Sequence, residues 1–312
     1  MAAEGAWRTV AVESVEVCAD EVVALTLADP AGAALPAWEP GAHIDVDLGA
    51  GLVRQYSLCG EAGRWRIAVL RDAAGRGGSV RIHEEVRPGD LLPVRGPRNH
   101  FPLVDAGRYV FVAGGIGITP ILAMVRAVAA AGRPWTLLYG GRRRSSMAFL
   151  DELAGIPGGE VVVVPQDECG LPDLGARLAS PVPDAVVYCC GPGGMLAAVE
   201  RACAAWPVGT LHRERFAAEP RQAAGGFEVL LRRSGRRIAV GEHEPLLDAL
   251  EAAGLDVDNS CRAGICGTCE ITVLDGEPDH HDDVLTDEER RRGDVMLPCV
   301  SRCRGPLLVL DL

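Results

Sequence analysis

The sequence predicts a multidomain chain: an antiparallel β-barrel, an α/β domain built on a parallel sheet, and a small α+β domain that holds a metal cluster. Three observations predict this. Residues 1–103 read as short strands broken by Gly and Pro, the pattern of a barrel. Residues 104–222 alternate strand and helix, the pattern of a parallel sheet. Four cysteines near the C-terminus, Cys261, Cys266, Cys269 and Cys299, read C-x4-C-x2-C with 29 residues before the fourth. That spacing is the plant-type ligand pattern of a [2Fe-2S] cluster. The 312 residues suit two or three domains, and a hydrophobic content of 48% can fill several cores.

In the first domain, strands are expected at 7–16, 21–28, 43–48, 53–58, 65–70 and 91–95. The run Arg54-Gln55-Tyr56-Ser57-Leu58 lies in one of them. Read as an Arg and a Ser on one face with Tyr beside them, it suits a flavin's phosphate, ribityl chain and ring edge. It also fits an ordinary strand. Gly77, Gly78 and Ser79, in Gly75-Arg76-Gly77-Gly78-Ser79, offer backbone N–H donors to a phosphate.

In the second domain, a buried strand at 109–113 runs into Gly114-Gly115-Ile116-Gly117-Ile118-Thr119-Pro120 and a helix over 118–131. The glycines let the turn pass close to a pyrophosphate, and the helix start supplies free N–H groups. Thr119 is expected to cap that helix and to touch a phosphate. Further strands are expected at 135–139, 161–165 and 185–190. After the next strand come Arg142, Arg143 and Arg144, which suit a 2′-phosphate or a solvated loop. Cys190-Gly191-Pro192 ends another strand and keeps a crevice open for nicotinamide. Residues 217–226 read as a linker.

The third domain, 226–312, is expected to open with a strand at 227–231 and a helix at 245–250. In the loop Cys261-Arg262-Ala263-Gly264-Ile265-Cys266-Gly267-Thr268-Cys269, Gly264 and Gly267 allow the positive φ that a tight wrap around sulfides needs. Zinc is the plainer alternative, but no second close cysteine pair is present and His280 and His281 sit in an acidic stretch. A Rieske centre would require two histidines. Cys303 is a rival fourth ligand. Cys299 is preferred because it ends an apolar run, whereas Cys303 stands between Arg302 and Arg304.

Composition excludes several classes. A net charge of -12 argues against nucleic acid. No run of 18 apolar residues predicts a membrane span, and the first residues do not read as a signal peptide, so a cytoplasmic chain is expected. There the 11 cysteines point to metal ligands or free thiols. Cys18, Cys59, Cys169, Cys189 and Cys203 are expected as small buried hydrophobes. Every one of the 31 basic residues is Arg. From Phe227 onward, 18 Asp and Glu stand against 10 Arg, about -8 in the last quarter, which suits either solubility or a basic partner surface.

With Arg98-Asn99-His100-Phe101-Pro102-Leu103, these motifs together resemble the phthalate dioxygenase reductase family, which includes vanillate demethylase reductases, over nearly the whole chain. The resemblance implies an FMN barrel, a pyridine-nucleotide domain and a C-terminal plant-type ferredoxin of β-grasp fold. It implies FMN contacts from Arg54, Tyr56, Ser57, Gly78 and Ser79, and a NAD(P)H site lined by Gly115, Gly117, Thr119, Cys190, Gly191 and Pro192. Leu58 and Gly77 fall within the flavin motifs, and Arg142 within the nucleotide loop. Phe216 resembles the family aromatic that packs near the isoalloxazine. The family mostly uses NADH, and the Arg142–Arg144 cluster departs from its acidic ribose-binding residue.

A hydride delivers two electrons and a [2Fe-2S] centre accepts one, so a flavin is expected between them. The resulting expectation is a monomeric reductase component that feeds a terminal oxygenase, either Rieske-type or cytochrome P450. Two rivals remain. One is an electron-transfer subunit of another flavin dehydrogenase, whose third-to-fourth cysteine spacing is shorter. The other is a non-enzymatic redox sensor, which would show no NAD(P)H-dependent cytochrome c reduction.

Overall fold

The structure, a computed structural model, describes residues 6–61, 63–216 and 225–312. The predicted linker lies outside these residues apart from Gly225 and Gly226, which are irregular. The chain forms two compact units, Met1–Phe216 and Ala217–Leu312.

The first unit begins with β1 (Trp7–Ala19), β2 (Val22–Ala28), β3 (His43–Asp47), β4 (Val53–Ser57), β5 (Trp65–Leu70), α1 (Gly78–Glu85) and β6 (Leu91–Arg98). The strands pair antiparallel in the order β4-β3-β6-β1-β2-β5. A Leu58–Ile67 bridge and a 2.8 Å bond from Cys59 N–H to Arg66 O join the two edges, so the sheet closes. Alternate residues fill the interior: Val10 and Val12, Ile44 and Val46, Trp65, Ile67 and Val69. Each such aliphatic burial is worth about 1.5–3 kcal/mol. β1 and β6 run three residues past their expected ends, because the polar residues there continue the ladder rather than the core.

One ion cluster is buried beside β4. Asp45, fully buried, accepts from Arg95 Nε at 3.0 Å, Arg98 Nη2 at 2.7 Å and Gln55 Nε2 at 2.9 Å. Burial alone would raise its pKa. Arg98, Gln55 and Arg95 outweigh that and hold the carboxyl below the usual aspartate range.

The chain continues with β7 (Arg108–Gly114), α2 (Ile118–Ala130), β8 (Trp135–Gly141), α3 (Leu150–Ala154), β9 (Gly159–Pro165), α4 (Gln166–Cys169), α5 (Leu174–Leu178), β10 (Ala185–Cys190), α6 (Gly193–Ala202) and β11 (Leu211–Glu214). All five strands are parallel, in the order β11-β10-β7-β8-β9. The order reverses between β7 and β10. A crevice therefore opens there, outside the carboxyl ends of the strands. The near-continuous apolar runs of β7 and β10 follow from burial on both faces.

The barrel and this sheet share a core. Val22, Ala24 and Ala68 of the barrel pack with Phe111, Tyr139, Ile121 and Leu122. Glu152 on α3 accepts from Arg66 on β5 at 2.8 Å and pairs with Arg126 on α2, whose Nη1 donates to Cys59 O at 2.7 Å. The expected junction at residues 103 and 104 thus runs through shared packing. Tyr188 ties it down, accepting from Val104 N–H and donating to Pro102 O, both at 2.8 Å.

The second unit contains β12 (Phe227–Leu231), β13 (Arg237–Val240), α7 (Leu246–Ala252), β14 (Ile271–Asp275), β15 (Pro278–Asp279), α8 (Asp287–Arg292), β16 (Val295–Met296), β17 (Arg302–Cys303) and β18 (Leu307–Leu310). A mixed sheet runs β13-β12-β18-β14-β16, with β12 and β18 parallel and the other pairs antiparallel. Leu246, Leu247 and Leu250 of α7 close its core against Val229, Leu231, Leu308 and Leu310. Thr286 and Glu289 form a capping box at the start of α8.

The cysteine expectation needs a correction. Cys59, Cys189 and Cys203 are buried, but Cys18 is half-exposed beside Arg66 and Cys169 is exposed. Cys169 ends the polar helix Gln166-Asp167-Glu168-Cys169, which has no apolar face to bury.

Candidate functional site

Three sites can be built from these elements. The first lies on β4. Register pairs Arg54 with Val46 and Tyr56 with Ile44, while Gln55 faces Asp45 and Ser57 faces His43. Arg54 therefore shares a face with Tyr56, not with Ser57, as the two-residue period of a strand requires. The expectation of Arg54 and Ser57 on one face is corrected accordingly. Leu58 is also placed differently from its expected role. Its side chain is fully buried in the barrel core, and its N–H donates to Ala42 O at 2.8 Å.

The structure brings Arg54 onto the amino end of α1. A Cβ on Gly78 would stand 2.5 Å from Arg54 Cγ, so only glycine lets the guanidinium cross the helix start. Gly77 takes φ +83° as N-cap, and no side chain caps the helix. The first N–H groups of α1 have no intrahelical acceptor. Ser79's hydroxyl is already engaged, accepting from Asp72 N–H at 3.0 Å; its backbone N–H is what the site offers. Among the described residues Arg54 donates only to carbonyls, Val53 O at 2.7 Å and Arg76 O at 2.6 Å. Burial and the neighbouring Arg76 lower its pKa. A half-buried cation beside a second cation and a helix N-terminus suits an anionic group, and a flavin phosphate fits it.

The second site is the crevice between β7 and β10. Residues 115–117 form a single 3-10 turn between β7 and α2. A Cβ on Gly117 would lie 2.3 Å from Cys190 O, so the two turns touch backbone to backbone. Cys190 is buried, Gly191 half-buried and Pro192 exposed at the rim. Thr119 does not cap α2. It lies inside the first turn, 2% exposed, and donates to Ile116 O at 3.0 Å. Its role is to brace the glycine turn. Arg142 is exposed at the end of β8. Phe216 follows β11 and remains 40% exposed, unusual for a core aromatic and suited to stacking on a planar ring.

Sequence reasoning missed three residues here. Tyr139 on β8 donates to Gly115 O at 3.3 Å and supports the turn. Met195 on α6 packs its sulfur against Gly114 and Gly191. Glu214, at the end of β11, lies 3.9 Å from the Cys190 thiol. Burial pushes its carboxyl up to about 8, partly offset by the Cys190 contact. The only sequence signal for Glu214 was its place beside Phe216. Its folded carboxyl keeps a proton that the unfolded one releases. The folded state therefore binds more protons between about pH 4.5 and 8, and stability falls as pH rises through that window. Glu214→Gln removes this dependence. Thermal melts should show the variant more stable than the parent at pH 9, by about 2–4 °C for each kcal/mol recovered, and little different at pH 5.

The third site is the thiol group of the second unit. Cys261, Cys266, Cys269 and Cys299 are all buried. Cys261 lies in hydrogen-bonding reach of Cys266 and Cys299, and Cys299 of Cys269. Gly264 and Gly267 adopt φ +71° and +70°. The backbone N–H of Ala263 reaches Cys261 Sγ at 3.2 Å, and that of Gly264 points to Cys299. Cys303 is buried rather than set in a charged surface, and its thiol donates to Leu307 O at 3.6 Å, away from this group. The Cys261 contact and burial push the Cys266 thiol well above the usual range. Sulfurs packed this closely become thiolates against a metal cation. Among the described residues no three metal-binding side chains converge on a single-ion position. A cluster with two thiolates per iron fits the arrangement.

Comparison with known proteins shows the family. Residues 229–304 match the 2Fe-2S iron-sulfur cluster binding domain family, and residues 111–168 the oxidoreductase NAD-binding domain family. The chain is 46% identical over 301 residues to phenoxybenzoate dioxygenase subunit beta of Ectopseudomonas oleovorans, covering 94% of each. The solved phthalate dioxygenase reductase, described as a modular structure for electron transfer from pyridine nucleotides to [2Fe-2S], is 37% identical with a TM-score of 0.72, and 98% of each chain is covered. An intact type IV self-sufficient cytochrome P450 monooxygenase is 48% identical with a TM-score of 0.90; 98% of this chain matches 41% of that one. Among the described residues no helix is long and apolar enough to cross a membrane. The chain belongs to the phthalate dioxygenase reductase family: it is an NAD(P)H-dependent flavin and [2Fe-2S] oxidoreductase, the reductase component of an oxygenase system.

Proposed function

We propose that Arg54, Tyr56, Ser57 and the backbone of Gly77, Gly78 and Ser79 hold FMN, that Gly115, Gly117, Cys190, Gly191 and Pro192 line the NAD(P)H crevice, and that Cys261, Cys266, Cys269 and Cys299 ligate the cluster. The flavin supplies hydride acceptance and one-electron release when bound. This chain's residues supply position. Arg54 and the start of α1 fix the phosphate. The Gly117–Cys190 contact shapes the crevice floor. Phe216 covers an otherwise open ring face, and Glu214 holds a proton at its carboxyl beside Cys190. Residues 1–103, 104–222 and 226–312 are read as the three modules that carry these sites.

The observation that carries the reading is Arg54, a cation set across a glycine at an uncapped helix N-terminus. Arg54→Ala should weaken FMN retention about 10- to 150-fold, the worth of a charge-assisted hydrogen bond. Flavin content after gel filtration measures it, and full flavin occupancy in the variant removes Arg54 from the site.

The partner is read as a terminal oxygenase on a separate chain, with the reductase a monomer in the cytoplasm. The full-length relative named as a dioxygenase subunit favours a Rieske-type partner. The P450 match, at higher identity, favours a haem partner. The acidic second unit, about -8 from Phe227 onward, would steer a basic docking surface. Coupled turnover with each class of oxygenase at two salt concentrations separates them, and salt-independent coupling discards the electrostatic part.

A further inference from the structure

β8 and β7 are neighbours, with Gly140 paired to Gly114, and β8 leaves the sheet after Gly141, paired to Pro165. Arg142 and Arg143 therefore emerge on the same carboxyl edge as the Gly115–Gly117 turn, one strand away. A pyrophosphate on that turn sets the adenosine ribose over the adjoining strand end. There an acidic residue selects a free 2′-hydroxyl, and an Arg accommodates a 2′-phosphate.

No Asp or Glu occurs from Tyr139 to Leu150. The nearby acids stand on α4. Glu168 is consumed by Arg144, which donates to it twice, at 2.9 and 3.1 Å. Asp167 is held through its backbone N–H to Arg142 O at 3.2 Å. The loop itself is pinned: Ser145 Oγ donates to Asp20 at 2.5 Å, Asp20 N–H donates to Ser145 O at 2.8 Å, and Ser146 N–H donates to Arg143 O at 3.0 Å. Arg142 and Arg143 are exposed, and among the described residues neither has an ion-pair partner. Two unpaired guanidiniums on a braced backbone are set for a doubly charged group.

We infer that Arg142 and Arg143 recognise a 2′-phosphate, so that NADPH rather than NADH is the preferred reductant. The inference rests on the crevice being the pyridine-nucleotide site, as proposed above. Arg144 is a positioning residue: it neutralises Glu168, which would otherwise repel the phosphate.

The test uses the full-length holoenzyme, with cytochrome c reduction driven by NADPH or NADH and calorimetric binding of 2′,5′-ADP and 5′-ADP. The wild type should favour NADPH by at least ~10-fold in kcat/KM. Arg142→Ala/Arg143→Ala should lower the NADPH-to-NADH ratio about 10- to 100-fold, carried by the KM for NADPH, and weaken 2′,5′-ADP relative to 5′-ADP by a similar factor. A wild type that favours NADH, especially one whose preference Asp167→Asn abolishes, overturns the inference, as does an unchanged ratio in the double variant. Oxidation of neither nucleotide would instead sink the reductase reading itself.

Discussion

Cys266→Ser should keep NAD(P)H-driven dye reduction and lose cytochrome c reduction by more than ~100-fold, because a cluster needs its full thiolate set to assemble. Two-electron dyes draw directly on the first unit, and the cysteine loop belongs to the second. Single-electron delivery has no carrier without the cluster. Iron content and visible absorbance should fall together in the variant while flavin content holds. Undiminished cytochrome c reduction would reject the order of carriers. Cys303→Ser is the internal contrast. Its thiol is spent on Leu307 O, so the cluster should survive. Loss of iron there would move the fourth ligand from Cys299 to Cys303.

The second large effect is on stability. Asp45→Ala leaves Arg95 and Arg98 covered by the barrel with no counter-charge. Breaking one partner of a buried ion pair costs about 3–5 kcal/mol. For a unit of 216 residues that corresponds to a drop in Tm of roughly 6–20 °C. Gln55, one residue from Arg54, also loses its hydrogen bond to Asp45, so flavin retention should fall with it. The pH sign follows from the depressed carboxyl. Its contribution is present above the unfolded aspartate value of 3.8 and is lost as pH falls through the lower folded value. Asp45→Asn should therefore remove part of the acid lability below about pH 4 that the parent shows. Calorimetric scans from pH 3 to 7 measure both effects. A Tm within about 2 °C of the parent would show that the pair carries no net stability.

The metal-cluster loop was legible because the chemistry is local. Three ligands, two glycines and the loop between them occupy nine consecutive residues, and their spacing is the constraint. The glycine turn after β7 was legible for the same reason, since strand, turn and helix follow one another directly. Arg54 and the Gly77-Gly78-Ser79 run could be named separately, but nothing in either segment says they meet. Barrel closure brings them together, and the missing Cβ at Gly78 makes the contact possible. Arg54 and Ser57 lie three residues apart on one strand, which puts them on opposite faces.

By itself the sequence determined the main strand and helix types, the apolar alternation of the barrel and the spacing of the four cysteines, because period, turn chemistry and ligand spacing act over a few residues. Only the tertiary structure decided the rest. It set the switch point between β7 and β10, put Glu214 against Cys190, buried Asp45 between two arginines and spent Arg144 on Glu168. Each joins residues 24 to 77 positions apart in the chain, and pairing of that kind is fixed by strand order and burial, which no local pattern encodes.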